Sequence, residues 1–201
     1  NIPVITSHSL RNPAYCEKIL DEGKTDMVGL SRQLIADPYW ANKARAGKTK
    51  EIRKFISCLI GCWKESLYIK HHMRCAVNPA TGDERFLDIR PARTPMKVAV
   101  VGGGIAGMEA ARIAALRGHK VTLFEKADEL GGILRTCCAV PPKSKMKWYM
   151  DWVREQIAKL DIEVKLGTEA AVETVQGYDG GLAGTGTKLK PLYAPCAEAM
   201  M

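Results

Sequence analysis

Residues 97–126 read KVAVVGGGIAGMEAARIAALRGHKVTLFEK: an apolar run, a glycine turn, a helix-forming stretch and a second apolar run. The apolar runs are short and Val-rich, as expected of strands buried on both faces of a parallel sheet. Gly102, Gly104 and Gly107 form GxGxxG between strand and helix, and Glu125 closes the next strand about 20 residues on. In this reading Gly102 permits a tight turn, Gly104 lets a pyrophosphate approach the backbone, and Gly107 lets helix and strand pack closely. The helix N-terminus adds free amides and a positive dipole. Glu125 accepts hydrogen bonds from ribose hydroxyls, and its charge repels a 2′-phosphate. The bland alternative, a glycine turn that binds nothing, fits the strand–turn–helix–strand context less well. The candidate dinucleotide-binding residues are therefore Gly102, Gly104, Ile105, Ala106, Gly107, Glu125 and Lys126, with Gly132 of the following Leu-Gly-Gly as a second close approach.

The same window is the most apolar of the chain, but its glycines and Glu109 and Arg112 argue against a spanning helix. The 201 residues carry a formal charge of +8 and are 46% hydrophobic, which suits a soluble globular protein, and the strand–helix alternation puts it in the α/β class. Their cations are spread over amphipathic stretches such as WANKARAGKTKEIRK (40–54) without a recognition motif, so neither nucleic acid nor a membrane is expected as a partner. Asn1 leads straight into an apolar strand, with no initiator Met and no signal peptide, and the expectation is a fragment cut inside a domain. Seven cysteines without a signal peptide predict a reducing, cytoplasmic location and metal or redox chemistry rather than disulfides.

Upstream, PVIT (3–6) and DMVGL (26–30) read as short buried strands around a helix in NPAYCEKILDEGK (12–24), and SRQLIADPYWANKARAGK (31–48) as a turn and a second amphipathic helix ending near Gly47. DERFLDIRPARTP (83–95) is the linker. Downstream, KWYMDWVREQIAKLDIEVKLG (147–167) reads as a helix and a strand. Three of the four glycines in DGGLAGTG (179–186) weaken a strand that should be buried.

Cys58 and Cys62 lie in FISCLIGCW (55–63), and Cys75 follows in MRCAVNP (73–79). Three readings stay open from the residues alone: small apolar core residues, a zinc site with His71 or His72 as fourth ligand, and an iron–sulfur site, which normally takes four thiolates. His71 and His72 otherwise read as exposed polar residues.

The wider pattern resembles one family. IPVIT (2–6), ILDEGKTDMVGLSRQLIADP (19–38), IRKFISCLIGC (52–62), CAVNPATGDE (75–84) and VAVVGGGIAGMEAA (98–111) are similar, in order and spacing, to the iron–sulfur flavoprotein branch of the old yellow enzyme family, which includes 2,4-dienoyl-CoA reductase, 2-enoate reductase, trimethylamine dehydrogenase and the bile-acid-inducible reductases. FEKADELGG (124–132) and the later TGT look like the FAD domain of two-dinucleotide-binding flavoproteins, which favours FAD over NAD. The resemblance, over about residues 1 to 190, implies the last two strand–helix units of a TIM barrel over 1–54, an iron–sulfur segment over 55–82, a linker over 83–95, an incomplete Rossmann-like FAD-binding domain over 96–190 and a frayed tail over 191–201. It implies that Cys58, Cys62 and Cys75 are the second, third and fourth ligands of a 4Fe-4S cluster, with Phe55, which cannot ligate iron, in the place of the first. It implies that the backbone around Leu30, Ser31 and Arg32 holds an FMN phosphate. The implied parent is an NAD(P)H-dependent oxidoreductase of small molecules that reduces activated C=C bonds of enoates or enoyl-CoA-type substrates, electrons passing from FAD through the cluster to FMN, with a homo-oligomer as the expected full-length form. Its catalytic acid lies outside this sequence, and the isolated chain is expected to be inactive. The alternatives are an amine dehydrogenase of the same family and a noncatalytic dinucleotide-binding remnant with a structural zinc.

Overall fold

A computed structural model describes residues 2–186; the expected tail at 191–201 and the last residues of the 96–190 domain lie outside them. The centre is a four-stranded parallel sheet. β3 (Lys97–Val101) lies between β4 (Lys120–Phe124) and β6 (Gly180–Ala183), with β5 (Ile162–Lys165) outside β4. In-register pairs Val98–Val121 and Val100–Leu123 turn their side chains to the same face. Onto that face pack α4 (Ile105–Leu116), through Met108, Ala111 and Ala114, and α6 (Met146–Lys159), through Tyr149, Trp152, Val153 and Ile157. Complete burial of side chains such as Leu123 and Val153 stabilises by roughly 1.5–3 kcal/mol each. Residues 97–126 thus form the strand–turn–helix–strand unit that their periodicity predicts.

β6 forms despite its glycines. It pairs with β3 from Val98–Gly180 to Val101–Ala183, and most of its residues are exposed rather than buried, because among the described residues no strand lies beyond it.

In the N-terminal region β1 (Ile5–Ser7) and β2 (Met27–Gly29) pair in parallel around α1 (Pro13–Asp21), which Asn12 caps by accepting the Ala14 amide at 3.1 Å. Two expectations need correction. The first strand starts at Ile5 rather than Pro3, since the amide of Val4 instead donates to the Asp26 carboxylate at 2.7 Å. Both strands were expected to be buried, yet Ile5 is 61% and Met27 47% exposed, because no layer of the described residues covers their outer face. The expected second helix is two, α2 (Arg32–Ala36) and α3 (Trp40–Arg45), since Asp37 precedes Pro38 and takes an extended conformation. The buried Asp37 carboxylate then accepts from Lys43 Nζ at 2.7 Å, the Arg53 amide at 2.8 Å and the Tyr39 amide at 3.1 Å.

The cysteine segment joins the two regions. Ala36, Phe55 and Val77 belong to the same apolar core as the sheet, and Trp152 Nε1 on α6 donates to the carbonyl of Glu51 at 2.9 Å. A π-helical stretch over Ile60–Tyr68, which the sequence does not announce, follows Cys58. No helix of the described residues is long and apolar enough to cross a membrane.

Candidate functional site

The turn after β3 opens onto a cleft of about 1000 Å³. At its floor three stretches of backbone meet. Gly102 has φ of +104°, and a Cβ on it would lie 2.6 Å from the Gly184 carbonyl oxygen. A Cβ on Gly107 would overlap the carbonyl oxygen of Gly102. Gly104 differs: its φ of −70° suits any residue, and a Cβ there would meet nothing nearer than the Gly184 oxygen at 4.0 Å. The space in front of it is the cleft. Gly104 begins α4 without a side-chain cap, so the first-turn amides, those of Ile105 and Ala106 among them, have no intrahelical acceptor where the chain lines the cleft. Twelve residues of helix add a positive end.

Glu125, 8% exposed, is held by the backbone: Oε2 accepts the Gly103 amide at 2.5 Å and Oε1 the Ala127 amide at 2.8 Å. Each oxygen keeps a lone pair for a ligand hydroxyl. Lys126 lines the cleft beside it, followed by Thr168 and Glu169. The Leu130–Gly132 turn closes the other side. Gly132 has φ of +52°, and its Cβ would come within 3.0 Å of Gly104 Cα. The turn is fastened by the Gly131 amide donating to the Gly103 carbonyl at 2.8 Å and by Arg154, which donates to the Leu130 carbonyl and pairs with Glu129. The cleft suits an extended nucleotide diphosphate: open in front of Gly104, amide-lined at the helix start, with a fixed carboxylate for a diol.

The wall that completes the cleft comes from the cysteine segment, as Ile56, Ala76 and Val77. Cys58, Cys62 and Cys75 are free thiols, each partly buried and within electrostatic reach of one another. Burial, then Cys58 and Cys75, push the Cys62 thiol up. Burial also raises Cys75, against the nearby backbone of Val77 and Asn78, which favours the thiolate. Among the described residues, however, no three His, Cys, Asp or Glu side chains converge closely enough to hold a metal ion. His72, a candidate fourth zinc ligand, instead contacts Asp83 at 3.2 Å and Arg74 at 3.3 Å, and both His71 and His72 are exposed.

Phe55 is built into the core. It is 8% exposed, its amide donates to Gln33 Oε1 at 3.0 Å, and its carbonyl accepts from Arg11 Nε at 2.8 Å. The guanidinium of Arg11 lies 5.2 Å, and that of Arg32 5.1 Å, from its ring centroid. Leu30 packs against the small N-terminal core, Ser31 starts α2 without a side-chain cap, and burial and Arg32 lower the pKa of Arg11. Neither arginine has a carboxylate partner among the described residues.

Residues 100–153 match a family model described as an NAD(P)-binding Rossmann-like domain. An NADH oxidase of Thermoanaerobacter brockii is 47% identical over 87% of this chain, and a cinnamate reductase of Clostridium sporogenes 38% identical over 98%. The solved structure of a 2-naphthoyl-CoA reductase with 2-naphthoyl-CoA is 34% identical, covers 98% of the chain and superposes with a TM-score of 0.90. Over most of its length the chain is similar to proteins of the old yellow enzyme/2,4-dienoyl-CoA reductase family. It spans 27% of the NADH oxidase's length and 30% of each of the other two.

The structure adds residues that sequence reading missed. Tyr149 lines the cleft from α6, but in sequence it shares the helical spacing of Trp152, Val153 and Ile157 and reads as core. Ile56, just before Cys58, and Ala76 and Val77, just after Cys75, read as flanks of the cysteines, and no local signal gives them a cleft-facing role. Gly184 looks like a defect in a strand, yet its backbone packs against Gly102 and Gly107.

Proposed function

We propose that the chain is the dinucleotide-binding and thiol-bearing part of an NAD(P)H-dependent flavin oxidoreductase that reduces activated C=C bonds of enoates or enoyl-CoA-type substrates. In this reading FAD occupies the cleft, its pyrophosphate on the amides around Gly104, Ile105 and Ala106 and its ribose on Glu125. A flavin bound there supplies hydride exchange with a nicotinamide and one-electron exchange with a neighbouring centre. The observation that carries the reading is the shared wall: Ala76 and Val77, which line the cleft, directly follow Cys75. A dinucleotide in the cleft therefore lies beside the thiols.

Cys58, Cys62 and Cys75 are assigned to a 4Fe-4S cluster, with Phe55 in place of a fourth thiolate. Leu30, Ser31 and Arg32 are assigned to an FMN phosphate, supported by two guanidiniums without a carboxylate partner among the described residues. The domain reading follows: the end of a TIM barrel over 1–54, an iron–sulfur segment over 55–82, a linker over 83–95 and an FAD-binding domain from 96. We expect a cytoplasmic enzyme of small molecules, with no nucleic-acid or membrane partner.

The test is to purify the chain anaerobically after iron–sulfur reconstitution and measure flavin, iron, zinc and sulfide per chain. Bound FAD with iron and sulfide supports the proposal; zinc, or no metal and no flavin, overturns it in favour of a structural remnant. For the whole protein, NADH-dependent loss of an α,β-unsaturated acid is expected, and amine oxidation without enoate reduction would show an amine dehydrogenase instead.

A further inference from the structure

Buried aromatic residues with a polar end usually give that end a partner. Trp152 Nε1 donates to the Glu51 carbonyl at 2.9 Å and Trp40 Nε1 to the Arg11 carbonyl at 3.0 Å. Tyr149 breaks the pattern. It is 7% exposed, it lines the cleft on the side of Ile56, Ala76 and Val77, and its hydroxyl bonds to no described residue. The hydroxyl is not sealed in the core either, and the residue that carries it lines the cleft.

The ring is held in place. It stacks on Trp152 with centroids 5.8 Å apart and planes 13° from parallel. Trp152 in turn carries the guanidiniums of Arg53 at 5.0 Å and Arg112 at 5.4 Å from its ring, and Arg112 is fixed by two hydrogen bonds to Glu109 at 2.6 and 2.8 Å. A donor held in this way makes its bond with little further loss of side-chain freedom.

We propose that Tyr149 is a ligand contact of the cleft, its hydroxyl donating a hydrogen bond to an acceptor oxygen or nitrogen of the bound dinucleotide from the wall shared with the cysteine segment. The proposal rests on the dinucleotide reading above and adds a residue to it. Burial, with Glu109 next, pushes the phenol up to about 12, so it stays a neutral donor throughout the physiological range.

The experiment compares the chain with its Tyr149→Phe variant, which keeps the ring and the stack and removes only the hydroxyl. Binding of FAD and of ADP is measured by calorimetry, and the thermal midpoint of each ligand-free protein is recorded. The expected result is FAD binding weaker by about threefold to tenfold, the range for one neutral hydrogen bond, at an unchanged midpoint. Loss of affinity for both ligands places the contact on the ADP half; loss for FAD alone places it on the flavin half. Unchanged affinity for both overturns the proposal. A variant that no longer folds also overturns it, because the hydroxyl would then be structural. Failure of the unaltered chain to bind either ligand would sink the dinucleotide reading itself and this inference with it.

Discussion

Replacing Gly104 and Gly107 in turn by Ala separates a glycine that serves a ligand from one that serves the fold. At Gly104 the backbone is extended, with φ of −70° and ψ of 179°, and the new methyl would meet nothing closer than 4.0 Å. Ala caps a helix less well than Gly, but it also narrows the unfolded ensemble by about 0.4–1 kcal/mol, so the net change in stability stays within about 1 kcal/mol. The methyl does occupy the space from which a pyrophosphate would reach the amides of Ile105 and Ala106. Losing one charge-assisted hydrogen bond of about 1.5–3 kcal/mol weakens FAD binding by about ten- to a hundredfold. At Gly107 the methyl would overlap the carbonyl oxygen of Gly102, and α4 must move off β3. Overpacking of that kind costs about 1–3 kcal/mol, partly offset by the better helix propensity of Ala. Urea denaturation followed by circular dichroism gives the stabilities, and flavin fluorescence titration gives the affinities. Gly104→Ala with unaltered FAD affinity, or with a stability loss as large as that of Gly107→Ala, would refute the reasoning.

Other outcomes follow from particular contacts. Asp37→Asn removes a buried charge shared by Lys43, the Arg53 amide and the Tyr39 amide and should cost about 3 kcal/mol, read as a lower urea midpoint. The folded-state pKa of Tyr149 is raised from 10.0 to about 12, so the folded protein holds the proton more tightly than the unfolded chain. Its stabilising share is complete below about pH 10 and is lost as the pH rises toward 12, a decline of about 2–3 kcal/mol that Tyr149→Phe should flatten in denaturation series at alkaline pH. Phe55→Cys should destabilise the metal-free chain by about 2–4 kcal/mol, since it empties a core position. In a protein carrying the whole barrel the same change should raise iron and sulfide toward about four each per chain; unchanged metal content would remove Phe55 from the account of the site.

How far the sequence could be read depended on the range of the interactions involved. GxGxxG was legible because its geometry is local: a turn at Gly102, a helix start at Gly104 and one helix–strand contact at Gly107 are set within six positions of sequence. The role of Gly184 was not, since it depends on β6 returning beside β3 to meet that turn from far along the chain. Tyr149 was hidden for a related reason. Helical periodicity gives the face a residue occupies, and a cleft wall continuous with a core presents the same face. In the N-terminal strands the pattern gave the apolar character of Ile5 and Met27 correctly but not their exposure, because burial depends on what lies against them. Asp37-Pro38 was a local stop signal in plain sight, and it splits the helix that the amphipathic pattern alone would run through.

The placement of Phe55 bears on how cleft and thiols act together. Its backbone is tied to Gln33 and Arg11, its ring lies under two guanidiniums, and the next residue, Ile56, already faces the cleft. Cys75 is likewise one residue from Ala76 and two from Val77, both in the same wall. A ligand that presses on this wall thus acts on the backbone that carries Cys75, whose carbonyl accepts the Asn78 amide at 3.3 Å. Any metal bound by the thiols and any dinucleotide in the cleft would share that stretch of chain, and the coupling between two ligands is reciprocal. Saturating the cleft with ADP, which carries no redox group, should therefore change metal retention against a chelator, and loading the thiols should change ADP affinity by the same factor. Agreement between the two factors would make the shared wall the link between the sites, whereas independence would mean that the core around Phe55 holds the wall rigid against both.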